Sequence, residues 1–392
     1  MIYLDSAATT PTSPIVVSKV YRVMTESWGN PSSRHAVGRK AKEVLDEARR
    51  GVCQLIKGAR PENIIFTSGG TEANNLAILG ARDRIKYAPD NLSCNGPDIL
   101  TTPYEHKSVS ETVRYLNRVD HTDPLYAPIR NGKVDLTPSF LAALKVLNSI
   151  GFASVMLVNN ETGAINDVGA ISRTLRELNP DILIHSDCVQ AAGYLQLDVD
   201  KLGVDFLSIS SHKIGGPKGV GALYVRDPKH FFPLFHGGSQ EWGLRPGTEN
   251  LASIAGFGAA CRLADDARRE AKMLINENNY LLRCKLTSEV QGAHINRFAD
   301  PWCDKILSVT FDGVDAETLM MLLDDKGVCV SAGAACNSLE SSPSPALLAS
   351  GLTEAQARST IRISLSENLK VQEIMEAARI IKECVEFLRA AK

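Results

Sequence analysis

The sequence predicts an α/β protein built on a mostly parallel sheet, with a smaller α+β domain following it. Three observations carry this. Short β-rich apolar runs alternate with helix-patterned stretches. The runs are continuously apolar, as in strands buried on both faces. At 392 residues the chain is also too long for one ordinary core and suits two domains.

Taken in order, IIF (64–66) precedes the helical pattern TEANNLAILGA, and DILTT (98–102) precedes HKSVSETVRYL. VMLV (155–158), ILIHSD (182–187), DFLSIS (205–210) and GALYV (221–225) read as further strands. Around Ile254–Cys261 a long helical pattern begins that leads into the second domain. That domain reads as strand ILSVTF (306–311), helix AETLMMLLDDKG, strand VCVS, a small-residue loop carrying Cys336, strand TIRISL (360–365) and a last helix. In the last helix Ile374, Ala378, Ile381, Val385 and Leu388 recur at three- and four-residue steps and form one apolar face. The expected division is 15–255 for the large domain, with 1–14 and 256–392 forming the smaller one. APDNLSCNGPD (88–98) and LESSPSPA (339–346) read as polar, turn-rich surface loops.

Lys plus Arg (43) nearly balances Asp plus Glu (45), and no run of like charge stands out. This argues against a nucleic-acid or acidic-membrane partner held by bulk electrostatics. The N-terminal MIYLDSAATT has no basic region leading into an apolar stretch, and no segment approaches the roughly 20 apolar residues that cross a bilayer. A cytoplasmic location is expected. The nine cysteines are scattered singly, with no C-x-x-C pair and no His/Cys cluster at zinc spacing. No metal site is expected, and most of these thiols are read as reduced core residues. Cys336 differs, because VSAGAACNS surrounds it with glycine, alanine and turn-formers that offer no packing face.

In an open parallel sheet, ligands bind beyond the carboxyl ends of the strands. After IIF comes TSGGTEANN, where Gly70 and Thr71 can offer N–H groups and a hydroxyl to a phosphate at the positive end of a helix. His106 follows ILTTPYE, Asn160 follows VMLVN, and Asp187 ends ILIHSD with Gln190 one turn later. A carboxylate at the end of a buried strand needs a cation, so Asp187 calls for a positive partner; an N-cap for the following segment is its ordinary role. SISSHKIGGPKGVGALYV places Ser210, His212 and Lys213 at another strand end before a glycine-rich return. A partly desolvated lysine there is a competent amine for a Schiff base, whereas an isolated loop lysine is ordinarily just solvated. Phosphate-site residues, an Asp for a pyridinium nitrogen and a Lys for an aldehyde together describe pyridoxal 5'-phosphate.

The motifs YLDSAATTP, GNPSSRHAVGRKA, IIFTSGGTEANNLAI, EHKSV, VNNETG, HSDCVQAAG, SSHKIGGPKGVGALYV, RPGTEN, GAACNS and TIRISL run along nearly the whole chain in one order. In this the sequence resembles the cysteine desulfurases of the fold-type I, class V aminotransferase superfamily, close to the NifS/IscS group, which takes in the selenocysteine lyases. The resemblance implies a PLP-dependent transferase with a mostly parallel seven-stranded sheet in its large domain. It implies that Lys213 forms the Schiff base, that Asp187 pairs with the ring nitrogen, and that His106 stacks on the ring. Asn160 and Gln190 contact the ring oxygen side, while Gly70, Thr71, Ser210 and His212 hold the phosphate, joined by Thr248 from the other subunit of a homodimer. Asn160 and Arg362 bind the L-cysteine substrate, with Arg362 clamping its carboxylate. Cys336 attacks the substrate sulfur, with His106 as proton partner; alanine leaves, and the persulfide passes to a sulfur-acceptor protein. Iron–sulfur assembly, tRNA thiolation and sulfur modification of DNA are destinations the resemblance allows. Cys188 after Asp187, Ser366 and Glu367 after IRISL, and Pro343 and Pro345 after the cysteine loop depart from the commoner pattern, the prolines resembling selenocysteine lyases. Selenocysteine lyase is thus the alternative activity, followed by a plain class V aminotransferase and a non-catalytic scaffold.

Overall fold

The computed structural model describes residues 1–87, 98–147, 150–298, 300–333 and 343–391. Its centre is a seven-stranded sheet in the spatial order Ile64–Thr67, Gly221–Val225, Phe206–Ser210, Leu183–Asp187, Ile150–Ser154, Asp98–Thr101, Pro124–Tyr126. Gly221–Val225 runs antiparallel to both neighbours, and the other pairings are parallel. Ile64–Thr67, Ile150–Ser154, Leu183–Asp187, Phe206–Ser210 and Gly221–Val225 are buried along their whole length, which is why they read as unbroken apolar runs.

Ile64–Thr67 lies at an edge of the sheet yet is buried. A buried ion pair covers that edge. Arg49 donates to the Ile64 carbonyl, and Glu241 Oε2 accepts from Phe66 N at 2.9 Å. The pair thereby answers backbone groups that an edge strand leaves without a ladder partner.

The helix Ala36–Leu55 crosses the long helix Leu251–Glu289 at two facing glycines. A Cβ on Gly258 would sit 2.4 Å from Ala48 Cα, and one on Gly51 would sit 2.3 Å from the Gly258 carbonyl oxygen. The crossing is backbone on backbone, so neither position admits a side chain without moving a helix. The long helix leads into an antiparallel sheet of Ala293–Ile295, Ile306–Phe311 and Thr360–Ser364, closed by the helix Val371–Ala390. Ile374, Ala378, Ile381 and Val385 of that helix are buried, with Leu388 packed against the same core. Ile2–Tyr3 pairs in parallel with Val328–Cys329, so the start of the chain is woven in beside this second sheet.

Three expectations change. The strand predicted at 155–158 is Ile150–Ser154; Gly151 and Ser154 weaken its apolar signal, and 155–158 is its tail. Val155 and Leu157 still donate to the His185 and Asp187 carbonyls at 3.1 and 3.0 Å. The strand predicted as VCVS is only Val328–Cys329, after which Ser331 makes a single bridge to Arg362. The segment predicted as a surface loop at 339–346 ends inside the fold: Ser344 is buried and caps the helix Pro345–Ala349, whose Ala346 and Leu347 are buried. Cys336 and residues 88–97 of the other predicted loop lie outside the described residues. Among the described residues Cys188, Cys261, Cys303 and Cys384 are buried free thiols, and no helix is long and apolar enough to cross a membrane.

Candidate active site

The parallel strands deliver their last residues to one cavity. Gly70, Thr71, His106, Asn160, Asp187, Gln190, Ser210, His212, Lys213 and Arg362 all line it, although they come from six separate stretches of sequence. Thr248 is exposed and is not among the lining residues.

Asp187 is the last residue of its strand and is buried. Its Oδ1 accepts from Val189 N at 2.9 Å, closing a turn with no helix behind it to cap, and its Oδ2 accepts from Asn74 Nδ2 at 2.7 Å. None of the ion pairs among the described residues involves Asp187, and the Asn74 amide orients the carboxylate. The neighbouring groups do not share its charge. Burial pushes the His185 pKa down to about 4, with the ring between Ser154 Oγ (2.9 Å) and Ser208 Oγ (3.0 Å). Burial, and then the charge of Asp187, push Glu105 up to about 8. At neutral pH both are uncharged, so the negative charge of Asp187 faces the cavity alone among the three.

Ser210 ends the next strand and opens a tight turn, Ser211–Lys213. The Lys213 amine donates to the carbonyls of Ala7 and Ala8 at 2.6 and 2.7 Å. His212 is half-buried, its Nδ1 3.1 Å from Thr9 Oγ1. Burial, followed by the charges of Lys213, Lys218 and Lys305, pushes its pKa down to about 4, so the ring is neutral. His106 caps the helix Lys107–Asp120, and its Nδ1 accepts from Ser108 N at 3.1 Å. A ring that accepts at Nδ1 carries its proton on Nε2 when neutral.

Asn159, which the sequence did not single out, builds the turn that presents Asn160. Its Oδ1 accepts from Glu161 N, Thr162 N and Thr162 Oγ1, and its Nδ2 donates to the Tyr104 carbonyl. Arg362 is buried, and Nη1 donates to the Asn160 carbonyl at 3.0 Å. Nη2 donates to Asp5 Oδ1 at 2.9 Å and to Ser331 Oγ at 3.2 Å, while Nε is buried without a partner. The segment Asp5–Thr10 was also missed. Besides Asp5 on Arg362 and the two carbonyls on Lys213, it accepts Gln190 Nε2 at the Ala7 carbonyl (2.9 Å), and Thr10 Oγ1 donates to the His212 carbonyl (2.9 Å). Beyond its place among the family motifs, YLDSAATT shows no chemistry in sequence, since most of these contacts run through its backbone.

The sequence profile of the family described as "Aminotransferase class-V" matches residues 2–376. The chain belongs to the class V aminotransferases. Within that family it is 39% identical over 391 residues to a cysteine desulfurase IscS of Methylobacillus flagellatus, covering 99% of this chain and 93% of the relative. Among solved structures it is similar to a NifS-like protein, with a TM-score of 0.89, 32% identity and coverage of 99% of this chain and 100% of that one. It also resembles a structure described as SspA in complex with cysteine, with a TM-score of 0.77, 31% identity and coverage of 93% and 99%.

Class V enzymes of this branch depend on pyridoxal 5'-phosphate, and the cavity fits that cofactor. Ser210 Oγ and Gln190 Oε1 are buried polar atoms without a partner, which a polar ligand would satisfy. At Gly70 a Cβ would come 2.9 Å from Val189 Cγ2, so glycine keeps the first turn of Gly70–Tyr87 open at its positive end. An isolated carboxylate and a lysine amine line the same space.

Proposed function

We propose that this chain, a pyridoxal phosphate-dependent cysteine desulfurase, takes sulfur from L-cysteine onto Cys336, releases L-alanine and hands the persulfide to a sulfur-acceptor protein in the cytoplasm. The observation that carries the reading is the convergence of the predicted residues on one cavity at the strand ends. In this reading Lys213 takes the cofactor aldehyde and Asp187 holds the ring nitrogen. His106 stacks on the ring, and Asn160 and Gln190 meet its oxygen side. Gly70, Thr71, Ser210 and neutral His212 cradle the phosphate. Thr248, exposed away from the cavity, would act on a second copy in a homodimer. The large domain is 15–255, and 1–14 with 256–392 form the smaller one.

When bound, the cofactor supplies an electron sink for the substrate α-carbon. The chain supplies the rest. Arg362, held by Asn160, Asp5 and Ser331, orients the substrate carboxylate, and its Nε is left without a protein partner. The thiolate of Cys336 forms an S–S bond to the substrate sulfur while the C–S bond breaks, and the carbon takes a proton to become alanine. His106, with Nδ1 occupied by Ser108, offers Nε2 as the atom that holds or moves a proton. Lys213, once free of the cofactor, has the Ala7 and Ala8 carbonyls as its resting acceptors.

The test is the release of alanine and sulfide from L-cysteine, with a thiol reductant present, by wild type and Cys336→Ala. The expected outcome is turnover by the wild type and a yellow, inactive variant. Desulfuration that survives Cys336→Ala, or amino transfer to a keto acid that survives it, would overturn the reading.

A further inference from the structure

Lys305 immediately precedes the strand Ile306–Phe311 and is 7% exposed, a depth at which lysine is rare. Among the described residues it enters no ion pair. Its Nζ donates to the main-chain carbonyl of Lys213 at 3.2 Å. The acidic groups acting on it are the Cys303 thiol and Glu367. Burial pushes Cys303 up to about 12, and Glu367 is exposed, so neither is a buried counter-charge. A buried cation facing only a carbonyl is a poor choice for stability, and an apolar side chain of similar length would serve the fold better. Residues that break a local rule in this way are expected where function retains them.

The carbonyl it holds belongs to the turn that presents the amine. The carbonyls of Ser211 and His212 are already answered by backbone donors, Ser211 by Ile214 N (3.1 Å) and Gly216 N (3.1 Å), and His212 by Thr10 N (2.9 Å). The Lys213 carbonyl receives Lys305 instead. Lys213 is therefore pinned at both ends, its amine on Ala7 and Ala8 and its carbonyl on a side chain from the antiparallel sheet.

We propose that Lys305 is a positioning residue for Lys213, which clamps the lysine's main-chain carbonyl from the antiparallel sheet and so sets the direction and proton affinity of its amine. The inference rests on the reading of Lys213 as the residue that takes the cofactor aldehyde. The other charged or titratable groups facing this turn are His212 and Lys218 on the same loop, Asp187 on the parallel sheet, His106 on its helix and Arg362 on the second sheet. Cys303, Asp304 and Glu367 surround Lys305, and Asp304 is taken by Arg297 at 2.8 Å. Arg362 is offset by Asp5, which leaves Lys305 as an uncompensated donor beside the turn.

The test is the pH titration of the visible absorbance of the holoenzyme, which reports protonation at the Lys213–cofactor linkage, together with kcat and KM. Lys305→Met removes the contact and the positive end, and should raise the midpoint by about 0.5–1 pH unit, with kcat reduced and KM for L-cysteine unchanged. Lys305→Arg should restore the wild-type midpoint. An unchanged midpoint in a Lys305→Met protein of full cofactor content overturns the proposal. Should that variant fail to load, the pH dependence of amine acylation at Lys213 is compared between wild type and Lys305→Gln without cofactor; the same upward shift supports the clamp, and its absence overturns it. Borohydride reduction of the wild-type holoenzyme separates the two levels of the argument. A label on any residue other than Lys213 overturns the underlying reading, and the proposal with it.

Discussion

Replacing Arg49 by methionine should be among the most damaging single changes outside the active site. Arg49 and Glu241 form a bidentate pair, Nη1 to Oε2 at 2.9 Å and Nη2 to Oε1 at 2.6 Å, with side-chain exposures of 6% and 2%. The guanidinium also lies 4.7 Å from the Phe66 ring centre and 4.5 Å from that of Trp242. Glu241 and Trp242 have positive φ angles of 46° and 58°, a backbone shape that bulky residues hold only when their surroundings impose it. Methionine fills much of the volume but leaves the Glu241 carboxylate buried, with only Phe66 N as a donor. Removing one partner of a buried pair costs about 3–5 kcal/mol. At about 2.1 cal/mol/K per residue, a chain of 392 residues carries an unfolding entropy near 0.8 kcal/mol/K, so Tm should fall by about 4–6 °C. Calorimetry of Arg49→Met, Glu241→Gln and the double variant measures this. The double variant keeps an acceptor for Phe66 N while removing the orphaned charge, and should regain most of the loss. A single variant within 1 °C of wild type, or a double variant no better than Arg49→Met, would refute the account of the covered sheet edge.

Glu105→Gln should raise stability, and more so as pH rises. The folded chain holds this carboxyl protonated up to about 8, whereas the unfolded chain releases the proton near 4.5, so the wild type loses stability as pH climbs through that window. The difference should reach on the order of 3–5 kcal/mol by pH 8 in denaturant titrations, and parallel pH profiles for the two proteins would contradict it. On the acid side His185, held neutral down to about 4, costs stability as pH falls from about 6.5. His185→Asn should flatten that limb. Gly258→Ala sets two effects of opposite sign against each other: alanine should help an exposed helix by about 1 kcal/mol, yet here its Cβ meets Ala48 Cα at 2.4 Å. A lowered Tm is the expected result, and a raised one would mean that the two helices do not approach as described.

Much of the parallel sheet was legible because its strands are buried on both faces and so read as uninterrupted apolar runs. GALYV shows this: its predicted limits coincide with the strand Gly221–Val225. The residues placed after such runs, from Gly70 to Lys213, were legible for the same reason, since strand ends are where an open sheet binds ligands. Pro124–Tyr126 was not legible; it is a half-exposed edge strand opened by proline and has no apolar run. Asn74 and Asn159 carry no pattern of their own, and each matters through one fixed carboxylate or one turn. Asp187 teaches the opposite lesson. The sequence shows the buried carboxylate but not the neutral amide, Asn74, that orients it and leaves its charge to the cavity.

The segment Asp5–Thr10 has a consequence for how the protein is made. Asp5 grips a side chain 357 positions later, and Ser6 Oγ donates to the carbonyl of Leu365, 359 positions later. Contacts of such span close slowly, because the intervening chain must be ordered before they can form. A growing chain released up to the glycine-rich return already owns Lys213, Asp187 and Gly70, and can lay down the parallel sheet. It still lacks Arg362 and Leu365, the partners of Asp5 and Ser6. A chain truncated before Thr360 should therefore fold its large sheet while remaining unable to seat an amino acid.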